Sequence, residues 1–144
     1  MSSILNTANI RLSAKATTKE EAINEAGQVL ADQGYIRESY ISKMHEREEV
    51  STTYMGNLLA IPHGTEDARD EVQETGLSIL ITNDVIDWDG QDVRLVIGIA
   101  GKGDEHLSIL SKIAIACSEE ENVEKLLQAR TEDEVLDFFS EVNE

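Results

Sequence analysis

Two of the three histidines in this chain stand where an imidazole could do chemistry. His63 lies in LLAIPHGTED (58–67), directly after the only proline, Pro62, and directly before Gly64. Proline fixes its own φ and pushes Ile61 into an extended conformation. Gly64 has no Cβ, so another group can approach the backbone closely there. Thr65 is placed to cap a short helix through EDARDEV. His63 is therefore expected to project from a strand end, at the crevice where open α/β sheets bind ligands. The stretch VRLVIGIAGKGDEHLSIL repeats this pattern: an apolar strand, a glycine-bearing loop, then His106 in a first helical turn with Asp104 as N-cap. The unpaired N–H groups of a helix start bind anions. Two imidazoles beside such groups suit a phosphoryl group better than a metal. Taken one at a time, each histidine has an ordinary reading too: His63 as part of a plain strand-to-helix turn, His106 as a helix-start side chain bonded to the backbone. The third, His45 in MHEREE, reads as a helix-face residue.

Other chemistries lack their residues. A zinc site needs three or four N, S or O ligands at recognisable spacing; no HExxH or CxxC occurs, and the lone Cys117 lies in an apolar stripe. No GxSxG elbow, GxxxxGK[ST] loop or GxGxxG is present. The formal net charge of −17 opposes nucleic acid and anionic membrane surfaces. An aromatic content of 4% gives no stacking platform for bases. The acids fall in short clusters that read as solvated helix faces, or as a docking face for basic partners. No apolar run approaches the roughly 20 residues that span a bilayer. The N-terminus lacks a signal-peptide pattern, and a single cysteine excludes an internal disulfide. A cytoplasmic protein is expected.

These side chains need elements to hold them. With 144 residues, 40% of them apolar, the chain fits a single domain over 1–144 with a core over about 4–142. Capping boxes are expected at Thr18/Glu21, Ser118/Glu121 and Thr131/Glu134, each followed by a helical apolar stripe. Gly34 is expected to close the first helix. A further helix over 38–48 turns Tyr40, Ile41 and Met44 inward. The helix that begins near Asp104 is apolar on most sides and is expected to be deeply buried. NIRLSA alternates, whereas NLLAI, LSILIT and VRLVIGIA are nearly continuous apolar runs, as in strands covered on both faces. NDVIDWDGQD between the last two holds no clear helix, which favours an antiparallel pair. The expectation is an α/β fold: a single layered domain with a mixed, mostly parallel central β-sheet and helices on both faces.

At YMGNLLAIPHGTEDARDEV, with REEVSTTY upstream and LVIGIAGKGDEHLSILSKIA downstream, the chain resembles the mannitol/fructose-type (type 2) enzyme IIA of the bacterial phosphoenolpyruvate-dependent sugar phosphotransferase system. The likeness runs from about Ile4 to Phe139 and leans to the mannitol subgroup through REEVSTTYMGN. It implies that His63 accepts a phosphoryl group from the phosphocarrier HPr and passes it to a cysteine of a IIB domain. It implies that His106 stabilises the group without carrying it, that Arg47 contacts the phosphate, and that Gly64 and Thr65 surround it. Neutral imidazole is the nucleophile, with an ordinary pKa of about 6.5. Nε2 is expected to react while a carbonyl holds Nδ1–H. Neither metal nor organic cofactor is required. A regulatory enzyme IIA of the nitrogen or potassium type, or a fructose-specific IIA, is the alternative within this likeness. A non-catalytic module docking on a transcription regulator is the rival outside it.

Overall fold

In a computed structural model, which describes residues 4–102 and 105–139, five strands form one sheet in the order β1-β4-β5-β3-β2. The strands are β1 (Ile10–Arg11), β2 (Tyr54–Gly56), β3 (Leu59–Ala60), β4 (Gly76–Trp88) and β5 (Gln91–Ala100). β1 pairs with β4, and β3 with β5, in parallel; β4 with β5, and β2 with β3, are antiparallel. The mixed sheet of a layered α/β domain is thus as expected.

The apolar runs of β4 and β5 alternate between two cores. Leu80, Ile86, Trp88, Val96 and Ala100 face one, where helices α1 (Lys19–Asp32) and α2 (Ser39–Val50) pack. Leu77, Ile79, Ile81, Leu95, Ile97 and Ile99 face the other, under α3 (Glu105–Ala116), α4 (Glu120–Leu127) and α5 (Glu132–Phe138). Burial on both faces is why these strands read as continuous apolar runs.

Most helix signals land where expected. The Thr18 and Thr131 side chains accept from the backbone N–H groups of Glu21 and Glu134. Gly34, at φ +83°, closes α1, and Tyr35 N–H returns to the Leu30 carbonyl.

Four expectations are corrected. The Ser118 hydroxyl donates to the Ile115 carbonyl at the end of α3, and α4 starts after Glu119 with no side-chain cap. The segment after Thr65 is a 3-10 turn, Glu66–Glu71, and not an α-helix; its first bond runs from Ala68 N–H to the Thr65 carbonyl. NDVIDWDGQD joins an antiparallel pair, as expected, but is itself mostly strand and not a link. β4 continues to Trp88 and turns at Asp89–Gly90, both with positive φ (54° and 92°), as a two-residue hairpin of right-handed twist requires. Finally, α3 is not deeply buried. Ile109 and Ile113, with Cys117 just beyond the helix end, form its inner stripe, which is enough to cover the sheet, and Ile115 is 74% exposed.

Candidate active site

His63 stands three residues beyond β3, where the chain still runs beside β5. Ile99 N–H donates to the Pro62 carbonyl at 3.0 Å, and His63 bridges Ile99 in parallel register. The half-buried ring turns back on its own strand, so that Nδ1 lies 2.9 Å from the Ile61 carbonyl oxygen. A carbonyl only accepts, so this contact assigns the proton to Nδ1. In the neutral ring the lone pair is then on Nε2. Pro62 accounts for the local path: it holds Ile61 extended and brings that carbonyl within reach of the ring two residues on.

β3 and β5 are neighbours and run in the same direction, so both chains leave the sheet at one edge. His63 follows the first, and the first turn of α3 follows the second. His106 is the second residue of α3. Its side chain, and Asp104 as a whole, lie outside the described residues, so only the backbone brings the two histidine positions to a common edge.

A cavity of about 500 Å³ opens at this edge, lined by Arg47, Thr52, Thr53, His63, Gly64 and Ser111 among others. Arg47 sits in the last turn of α2. Its Nη1 donates to the Ser51 carbonyl at 2.8 Å and to Ser51 Oγ at 3.3 Å. Among the described residues it forms no ion pair. Thr65 is not among the lining residues. Its hydroxyl is bonded to the Asp67 carboxylate. That bond, with Lys43 3.5 Å away, holds the Asp67 carboxyl below its usual range.

At Gly64 another group does approach the backbone closely, as the sequence suggested. A Cβ there would lie 2.5 Å from Cε1 of Tyr40. This buried ring is a group that approaches the backbone there, and Gly64 also lines the cavity. Tyr40 was expected only as an inward apolar residue of α2. Its hydroxyl accepts from Gly64 N–H at 2.8 Å and donates to the Ile99 carbonyl at 3.1 Å. Burial raises its pKa, which keeps it a neutral hydroxyl able to do both.

Glu48 was also missed, because HEREE reads as a solvated acidic cluster. It is 5% exposed. Its carboxyl oxygens accept from Thr53 N–H at 3.2 Å, Thr53 Oγ1 at 2.5 Å and Trp88 Nε1 at 3.1 Å. The Thr53 carbonyl in turn accepts from Ile61 N–H at 3.1 Å. A chain of hydrogen bonds thus runs from Glu48 through Thr53 and Ile61 to the His63 ring. The signal was present as a spacing: Tyr40, Met44 and Glu48 recur every four residues on one helix face.

The other reactive side chains stand apart from the cavity. His45 Nε2 lies 2.7 Å from Asn24 Oδ1 and ties α2 to α1, as a helix-face residue would. Burial pushes the Cys117 thiol up to about 11, so it is not a thiolate at neutral pH. Among the described residues, no group of three or more His, Cys, Asp or Glu could hold a metal ion. The arrangement places an imidazole and a guanidinium on the wall of one cavity, which suits a small anionic group.

Comparison with known proteins gives a consistent picture. Residues 3–142 match the family described as "Phosphoenolpyruvate-dependent sugar phosphotransferase system, EIIA 2". The chain is 59% identical over 141 residues to the mannitol-specific phosphotransferase enzyme IIA component of Halalkalibacterium halodurans, covering 98% of this chain and 97% of that protein. It superposes with TM-score 0.88 on a chain from the complex of enzyme IIAMTL and phosphorylated enzyme IIBMTL from Escherichia coli, at 36% identity over 95% of this chain and 97% of the other. Nitrogen regulatory protein IIA-Ntr from Neisseria meningitidis gives TM-score 0.81 at 25% identity, covering 94% of this chain and 95% of the other.

Proposed function

The chain belongs to the EIIA 2 family of the phosphoenolpyruvate-dependent sugar phosphotransferase system, and from that premise we propose that it is the mannitol-specific phosphoryl carrier, with His63 as the acceptor. As a IIA component it is a phosphotransferase. Phospho-HPr is the donor and a cysteine of the cognate IIB domain is the recipient. The neutral His63 ring attacks the phosphorus of the donor phosphohistidine with the Nε2 lone pair. A new P–N bond forms as the donor's P–N bond breaks, and the donor imidazole leaves with that bond's electron pair. In the second half the IIB thiolate attacks and His63 leaves. Both steps exchange one nucleophile for another at phosphorus, so positioning and charge stabilisation carry the catalysis. Arg47 supplies positive charge at the cavity wall, and His106 is the second stabilising group. The protein works in the cytoplasm; no helix among the described residues is long and apolar enough to cross a membrane.

The observation that carries this reading is the 2.9 Å contact of His63 Nδ1 with the Ile61 carbonyl, which leaves the reacting lone pair on Nε2. The mannitol assignment is supported by 59% identity to a mannitol-specific component against 25% to a nitrogen-regulatory one. Incubation with enzyme I, HPr and phosphoenolpyruvate tests the reading. Acid-labile phosphate should appear on His63 and be absent from His63→Ala. Label on Ser, Thr or His45, or none, would reject it.

A further inference from the structure

We propose that Tyr40 is a positioning residue for His63: its buried hydroxyl forms a rung of the β3–β5 ladder and so fixes the peptide that carries the reacting imidazole. The proposal rests on the reading of His63 as the acceptor. Two peptide groups flank that histidine. On its N-terminal side, the Pro62 carbonyl takes Ile99 N–H at 3.0 Å. On its C-terminal side, a parallel ladder would aim Gly64 N–H at the Ile99 carbonyl. The Tyr40 hydroxyl stands between these two groups, accepting from Gly64 N–H at 2.8 Å and donating to the Ile99 carbonyl at 3.1 Å. Only a neutral hydroxyl can fill this place, since it must both accept and donate. The ring that delivers it is 4% exposed, sits on an α-helix, and occupies the space a Cβ at Gly64 would need. Tyr40 therefore clasps both sides of His63 at once: Ile99 directly and Gly64 directly, with Pro62 held through Ile99. The ring of His63 is oriented by a bond to Ile61. That bond keeps its geometry only if the backbone from Ile61 to Gly64 does not rotate. A shift of about 1 Å in a reacting group can cost up to about a hundredfold in rate.

Tyr40→Phe removes the hydroxyl and keeps the ring. Tyr35→Phe is the matched control. It also removes a buried hydroxyl, one that receives Asn9 Nδ2 at 3.1 Å and is not bonded to Gly64 or Ile99. The expected result for Tyr40→Phe is a kcat for phosphate uptake about tenfold lower at nearly unchanged KM for the donor protein. Its His63 ring, read by 15N NMR, should change from one tautomer, protonated on Nδ1, to a mixture. Tyr35→Phe should lose stability but keep both the rate and the single tautomer. A wild-type rate and an unchanged tautomer in Tyr40→Phe would overturn the proposal, as would an equal loss in Tyr35→Phe. Absence of phosphate on His63 in the wild type would sink the acceptor reading instead, and the tautomer would then decide the positioning role alone. If Tyr40→Phe does not fold, 3-fluorotyrosine at position 40 replaces it. That ring keeps the shape but makes a stronger donor and a weaker acceptor. The Gly64 amide and His63 ring signals should then move together, and an unmoved His63 ring would contradict the inference.

Discussion

The His63 ring is oriented by a backbone carbonyl, that of Ile61. Because the Ile61 carbonyl can only accept, the ring proton is held on Nδ1. The sequence made the histidine legible through Pro62 and Gly64, whose types signal a constrained path. It did not make Tyr40 or Glu48 legible as parts of the same site. Tyr40 is distant in sequence and looks like any inward aromatic. Glu48 sits in an acidic run, and only its place four residues beyond Met44 betrays that it faces inward. For His106, the expectation rests on the shared sheet edge. His106→Ala should still accept phosphate on His63 but pass it on more slowly, measured as the rate of loss of label to the IIB domain. Complete loss of acceptance would make His106 a primary acceptor group instead.

Elements were read well where a single residue type fixes them and less well where packing decides. The closure of α1 at Gly34 follows from its positive φ, which any side chain would strain. The boundary between α3 and α4 did not follow, because Ser118 can serve the end of one helix or the start of the next, and here its hydroxyl serves α3. Asp89–Gly90 was a hairpin signal lying inside a stretch read as a link. The exposure of Ile115 could not be foreseen from the composition of α3, since the sheet needs only one stripe of that helix. At the start of α1, the Glu21 carboxylate accepts from Thr17 N–H and Thr17 Oγ1, both at 2.9 Å, and these bonds lower its pKa. A carboxyl with a depressed folded-state pKa stabilises fully above its unfolded value, about 4.3, and loses that contribution as pH falls through the folded value. Glu21→Gln should therefore melt slightly below the wild type at pH 7, with the gap closing as pH falls to 3. Thermal melts that stay parallel across this range would contradict the cap's electrostatic role.

At the scale of the molecule, two helical layers hold one sheet, and His63 lies where two parallel neighbours, β3 and β5, lead out of it in the same direction. That juxtaposition was inferable only as similar strand ends, because the order of strands in a sheet is a long-range property. The net charge of −17 is spread over the chain and not gathered in a tail. A field of that sign should speed encounter with a basic donor protein. Raising ionic strength is expected to lower the second-order rate of phosphate uptake while leaving the saturated rate nearly unchanged. A second-order rate indifferent to salt would remove steering from the account. With Nδ1 held by the Ile61 carbonyl, the phosphoryl group is expected on a single nitrogen, Nε2 of His63. The most direct test is 15N and 31P NMR of the phosphorylated protein labelled in its histidines. Phosphorus should be bonded to Nε2 of His63, with Nδ1 still protonated. A phosphoryl group on Nδ1, or on another histidine, would contradict it.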